Sequence, residues 1–201
     1  MADTKTPLEA DSSYHIYNRA VGKELLFKTE ENYSFFLRRF KKYLSPFVDV
    51  YAYCLIPNHF HLIIRVKSER EVRNEYQRIK NAGVGEKLAD ENFNVVPKII
   101  SLQFSHFFNS YAQAFNKENH RKGSLFSNRY KRIQISNEDY LKRLIIYTHK
   151  NPVNHRLVDK PNEWRFSSYN TILSEKESIL MRREVIELFD DIENFNYCHF
   201  R

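Results

Sequence analysis

Two apolar, β-rich stretches, residues 47–56 and 59–66, are separated only by Pro57-Asn58. A two-residue connection between alternating segments predicts a β-hairpin. In the first arm, Val48, Val50, Ala52 and Cys54 are assigned to one face, and Asp49, Tyr51, Tyr53 and Leu55 to the other. The second arm begins His59-Phe60-His61. Residues i and i+2 of a strand share a face, so the two histidines project side by side and Phe60 points away. Two imidazoles so placed can ligate one metal ion. They can equally be two half-buried strand histidines, and spacing alone does not separate these readings.

The rest of the chain supplies the partners of this hairpin. Residues 1–12 read as a polar tail and residues 14–19 as a first strand. In residues 30–44, Tyr33, Phe36, Leu37, Phe40 and Leu44 recur at helical spacing, and Pro46 ends that helix. Residues 67–97 are polar, contain Gly83 and Gly85, and lack a long apolar period, so they read as an insertion, either partly helical or mobile. A second long helix is predicted over 99–117 and a fourth strand over 129–135. Ser136 or Asn137 caps a third helix, with Glu138 and Asp139 in its first turn, running to about Lys150 and stopping before Pro152. A short amphipathic helix over 181–189 and a mixed tail follow. The order strand, helix, strand, strand, helix, strand predicts an α+β, ferredoxin-like (split βαβ) four-stranded antiparallel sheet. Two helices cover one face, and the extra third helix can cross to the other. The domain is placed at residues 13–170, with residues 171–201 as a C-terminal helix and tail.

Composition narrows the chemistry. Only 4 glycines occur, and neither GxGxxG nor a Walker A pattern is present, so no nucleotide cofactor is expected. The net charge of +7 and the 16 Phe and 13 Tyr lean towards a nucleic-acid partner. Residues 117–132 carry six Lys/Arg against one acid, Glu118. The two cysteines, Cys54 and Cys198, form no CxxC pair, and Cys54 reads as a core residue. No stretch approaches the roughly 18 apolar residues of a membrane span. A cytoplasmic protein without a membrane partner is the expectation.

On the third helix, Tyr147 precedes Asn151 by four residues, so a phenol and a carboxamide share a face. The carboxamide oxygen can serve as a third metal ligand beside His59 and His61. That set is neutral, so a divalent ion would keep its full charge for a phosphate. The phenol is then placed to attack that phosphate. Taken singly, Tyr147 also reads as an aromatic packed at a helix end and Asn151 as a C-terminal cap.

Pro57-Asn58-His59-Phe60-His61 resembles the His-hydrophobic-His motif of the HUH single-tyrosine transposases. Residues 147–153, Tyr-Thr-His-Lys-Asn-Pro-Val, resemble their Y-x-x-x-N/Q helix. Arg129-Tyr130-Lys131 and Trp164-Arg165-Phe166-Ser167-Ser168-Tyr169 point to the REP-associated branch. The resemblance implies cleavage of single-stranded DNA near a hairpin, through a tyrosine that stays bound to the 5′ phosphate. It implies Tyr147 as nucleophile and His59, His61 and Asn151 as ligands of Mg²⁺ or Mn²⁺. Contacts to DNA are assigned to Arg19, Arg121, Lys122, Arg129, Lys131, Arg132 and Lys150. Relatives occur as monomers and as homodimers that share active sites, and the sequence leaves that choice open. Two other classes remain at this point: a nucleic-acid-binding regulator that has kept the fold without the chemistry, and a zinc hydrolase. Against the second, no Glu lies within the motifs to act as base.

Overall fold

The computed structural model describes residues 4–82, 95–127 and 129–201 of the 201-residue chain. Strands β1 (Ser13–Arg19), β2 (Val48–Ile56), β3 (His59–Val66) and β4 (Lys131–Ile135) form one antiparallel sheet in the order β2-β3-β1-β4. This is the predicted split βαβ arrangement, with the β2–β3 hairpin at one side. Helices α1 (Glu30–Tyr43) and α3 (Val95–Glu118) pack together on one face. Phe60 points into that layer, with ring centroids 5.1 Å from Phe36 and 5.7 Å from Phe108. Phe36 in turn meets Phe107 and Tyr111 edge-on at 4.8 and 5.1 Å. Each such buried ring contributes about 1.5–3 kcal/mol through area alone, and paired rings add about 0.5–1.5 kcal/mol.

Helix α4 (Glu138–Asn154) crosses the opposite face, mainly over β2. A β-bulge in β2 shapes that contact: Val50 pairs with Ile64, but Ala52 pairs with Ile63, so Tyr51 is the extra residue. The alternation read from the sequence is therefore broken. Val48 and Val50 share a face with Tyr53 and Leu55, whereas Ala52 and Cys54 share one with Asp49 and His61. An inserted residue reverses the parity of every side chain beyond it. Here it places two small, fully buried side chains, Ala52 and Cys54, beneath α4. Burial raises the Cys54 thiol well above its ordinary range, as befits an inert core residue.

Three further elements differ from the sequence expectation. Helix α4 does not stop before Pro152 but runs through it to Asn154, closed by His155 N–H donating to Asn151 O at 3.0 Å. Proline's φ suits a helix, and so near the end only one intrahelical bond is lost. The segment read as an irregular insertion contains α2 (Glu69–Asn81), started by a Ser68/Glu71 capping box and held by Val72 and Tyr76, four residues apart on one face. Its continuation through residue 94 lies outside the described residues. The second long helix starts at Val95 and carries Pro97 in its first turn, where a missing N–H costs nothing.

After α4 come a 3-10 turn (Pro161–Glu163) and α5 (Tyr169–Ile172), then α6 (Arg182–Leu188) and α7 (Ile192–Phe200). Helix α7, read as mixed tail, starts at Asp191, whose carboxylate accepts from Asn194 N–H. Trp164 Nε1 donates to Leu55 O at 2.8 Å and ties this region to the edge of β2. Among the described residues, no helix is long and apolar enough to cross a membrane.

Candidate active site

The hairpin turn, the end of β1 and the last turns of α4 meet at a cavity of about 490 Å³, lined by His59, His61, Tyr17, Tyr147, His155, Arg19, Arg129 and Lys131 among others. Strand alternation places His59 and His61 on the α4 side of the sheet, as predicted. Helical spacing places Tyr147 and Asn151 above them. His59 Nε2 lies 3.1 Å from Asn151 Oδ1, and the Tyr147 ring stands edge-on to His61 at 5.4 Å between centroids. Tyr147 remains 44% exposed, so its hydroxyl is open to a substrate. Tyr111 contrasts with it: its ring is buried, its hydroxyl donates to Leu26 O, and burial drives its ionisation far up.

The protonation pattern suits metal ligation. His59 Nδ1 lies 2.8 Å from Asn58 Oδ1 and Nε2 lies 3.1 Å from Asn151 Oδ1, both acceptors, so the single proton of the neutral ring can serve only one of them; in the tautomer that donates to Asn58, Nε2 is a bare lone pair. That lone pair faces a second acceptor, Asn151 Oδ1. Two acceptors about 3 Å apart repel one another unless a cation joins them, and this is the spacing of neighbouring ligands in an octahedron with bonds of about 2.1 Å. His61 Nε2 is buried and has no hydrogen-bond partner among the described residues. Burial, helped by the nearby His155 charge, lowers His59 to about 4, and burial lowers His15 to about 4. Burial and the neighbouring His15, His59 and His155 hold His61 well below the ordinary value. All three imidazoles are therefore neutral at pH 7, the form that binds metal. Among the described residues, no group of three His, Cys, Asp or Glu side chains is placed to hold a metal, so a metal held by His59 and His61 would draw on a different kind of third donor, such as the Asn151 carboxamide.

The basic residues separate into those at the cavity and those committed elsewhere. Arg19, Arg129 and Lys131 line it, with Lys131 Nζ 5.9 Å from the Tyr17 ring centroid. Among the described residues no carboxylate lines it. Arg132 is buried on the other side of the sheet, stacked over Tyr130 and donating to Thr4 O. Arg121 is held by Glu24 at 2.8 Å and by Asn116 at 2.6 Å. Lys122 sits exposed on the loop after α3, and Lys150 donates to Arg201 O. Three residues were not singled out as site residues from the sequence: Tyr17 and His155, which line the cavity, and His15, buried against His61. His15 and Tyr17 alternate on β1, and Tyr17 pairs with His61 across the sheet, so only the strand register shows that they share its face. His155 caps α4 and lies 4.9 Å from His59, ring to ring.

No family model matches the chain. A solved REP-associated tyrosine transposase, bound to a REP hairpin, superposes with a TM-score of 0.58 over 89% of this chain and 90% of the other, at 15% identity. A protein of Haemophilus influenzae that carries the name REP-associated tyrosine transposase is 23% identical over 127 residues, 62% of this chain and 60% of that relative. The chain thus has the fold of a REP-associated tyrosine transposase, and its resemblance in sequence runs to the same branch.

Proposed function

We propose that the chain is a metal-dependent single-stranded DNA endonuclease and strand transferase that cleaves near a hairpin through a 5′-phosphotyrosine intermediate. The observation that carries this reading is the convergence of an exposed phenol, Tyr147, on two imidazoles, one with an unpartnered Nε2, and a carboxamide oxygen. Arg19, Arg129 and Lys131 would hold the phosphates flanking the scissile bond, and the Tyr17 ring offers a stacking face to an unpaired base. The Tyr147 oxygen attacks phosphorus, the bond to O3′ breaks, O3′ takes up a proton and the phenolic proton leaves to solvent. A phenol is a far better leaving group than an alkyl alcohol, so a second 3′-OH can reverse the step and join a new strand. A Mg²⁺ or Mn²⁺ ion held by His59, His61 and Asn151 would supply Lewis-acid stabilisation of charge on the phosphate oxygens. Hairpin-bearing DNA is the proposed partner because the structurally similar transposase was bound to a REP hairpin.

The test uses single-stranded oligonucleotides with a hairpin, labelled at the 3′ end, so that the downstream fragment stays on the protein. Denaturing electrophoresis should show a labelled protein band with Mn²⁺, none in EDTA and none for Tyr147→Phe. A band that persists in Tyr147→Phe overturns the assignment of the nucleophile, and full cleavage in EDTA overturns the metal.

A further inference from the structure

We propose that His15 is a positioning residue that fixes His61 in the tautomer able to bind a metal ion; this rests on the reading of His61 as a ligand. His15 Nε2 lies 2.8 Å from His61 Nδ1, both rings are buried, and they stack with centroids 5.0 Å apart. A hydrogen bond between two neutral imidazole nitrogens holds a single proton. Two arrangements satisfy it. In one, His15 donates, and the single ring proton of His61 sits on Nε2, buried with no acceptor. In the other, His61 Nδ1–H donates to His15 Nε2, and His61 Nε2 is a buried lone pair with no donor. Either unpartnered group costs about 1–3 kcal/mol, but only the lone pair can be satisfied by a metal ion. Free imidazoles of histidine favour the Nε2–H form, so the fold has to supply the opposite bias.

The neighbouring ligand shows the same device. His59 is held through Nδ1 by Asn58 Oδ1, an acceptor only, and presents its Nε2. Asn58 does for His59 what His15 does for His61. The partner of His59 is its neighbour in sequence, whereas the partner of His61 comes from β1, two positions beyond its cross-strand mate Tyr17. Ligating histidines generally donate their second ring N–H to a fixed acceptor, and loss of that acceptor weakens metal binding about 10–100-fold. His15 touches no substrate atom; its effect passes through His61.

The experiment has two readouts. Nitrogen-15 NMR of the metal-free protein should show His61 protonated on Nδ1 in the wild type. In His15→Phe, which keeps an aromatic ring against Tyr17 but accepts nothing, His61 should move to the Nε2–H form. Calorimetry with Mn²⁺ should show affinity about 10–100-fold weaker for His15→Phe and largely restored in His15→Gln, whose amide oxygen can accept. A wild-type His61 protonated on Nε2, or wild-type Mn²⁺ affinity in His15→Phe, overturns the proposal. The wild-type tautomer decides the matter even if His15→Phe folds poorly. His61→Ala keeps the failures apart. If it binds Mn²⁺ as the wild type does, the metal reading itself falls; if it loses binding while His15→Phe keeps it, only the role of His15 falls.

Discussion

Helix α4 carries histidine clusters on two sides, and they are opposites. On one side His149 is fully buried: its Nδ1 faces His199 Nε2 at 2.8 Å and its Nε2 faces Ser168 Oγ at 2.7 Å. His199 Nδ1 donates to Phe195 O, which fixes the direction of the whole chain. His199 Nε2 accepts from His149 Nδ1–H, His149 Nε2 accepts from the Ser168 hydroxyl, and Ser168 Oγ accepts from Tyr53 N–H at 2.9 Å. Every nitrogen has a partner. On the other side a neutral His59 meets two acceptors with a single proton, and the buried His61 Nε2 has no partner among the described residues, beside a cavity that both residues line. The comparison teaches that burial and clustering do not mark a site; leftover lone pairs that converge do. The satisfied cluster fastens α4 to α7 and β2, and the unsatisfied one is where a cation has something to gain.

The largest effect that sharpens this contrast is on chemistry. Tyr147→Phe should lower cleavage by at least about 10³-fold, as expected for loss of a nucleophile. Because Tyr147 is 44% exposed, stability should change by no more than about 0.5 kcal/mol. Denaturant titration beside the cleavage assay checks both halves, and a large stability loss would show the residue to be structural.

Next is stability on the satisfied side. His149→Ala leaves His199 Nε2 without a partner, takes one contact from Ser168 Oγ, which keeps Tyr53, and opens a cavity, so it should cost about 2–4 kcal/mol. His61→Ala removes one hydrogen bond, to His15 Nε2, where His149→Ala removes two, and should cost less. Equal losses in urea titrations would break the distinction between the clusters.

Acid should act on the same side. Burial lowers His199 to about 4, from an ordinary value near 6.5. The unfolded chain therefore binds more protons between these values, and stability falls as pH drops from about 6.5 to 4. For this one group the loss is up to about 3 kcal/mol. Lys150 faces the same ring and pushes in the same direction. Thermal melts across pH 4–7 check the sign; flat melting temperatures would contradict it.

The smallest effect concerns the cations. Lys131→Gln or Arg129→Gln should reduce the salt slope of single-strand binding by about 0.7 each. Arg121→Gln, whose guanidinium is held by Glu24 and Asn116, should leave that slope unchanged.

How much of this was legible follows from the range of each signal. His59 with His61, and Tyr147 with Asn151, are pairs within one element, and periods of 2 and 3.6 reveal them directly. His15 and Tyr17 enter through the β1–β3 register, which no local pattern encodes. The Tyr51 bulge reversed the faces of half of β2, because the sequence keeps alternating where the backbone does not. Helix α2 was only one of two readings of its segment because its buried stripe is only Val72 and Tyr76. Of the basic residues, charge alone could not separate Lys131 from Arg132, which are neighbours on opposite faces of β4.

The central claim is that the leftover lone pairs of His59 and His61, with Asn151, form one metal site beside Tyr147. Crystals soaked in Mn²⁺ and measured for anomalous scattering test it directly. The account predicts one strong peak about 2.0–2.2 Å from His59 Nε2, His61 Nε2 and Asn151 Oδ1, and none at the His149–His199 pair. A site that stays empty at saturating Mn²⁺, or a peak at the buried pair instead, would contradict it.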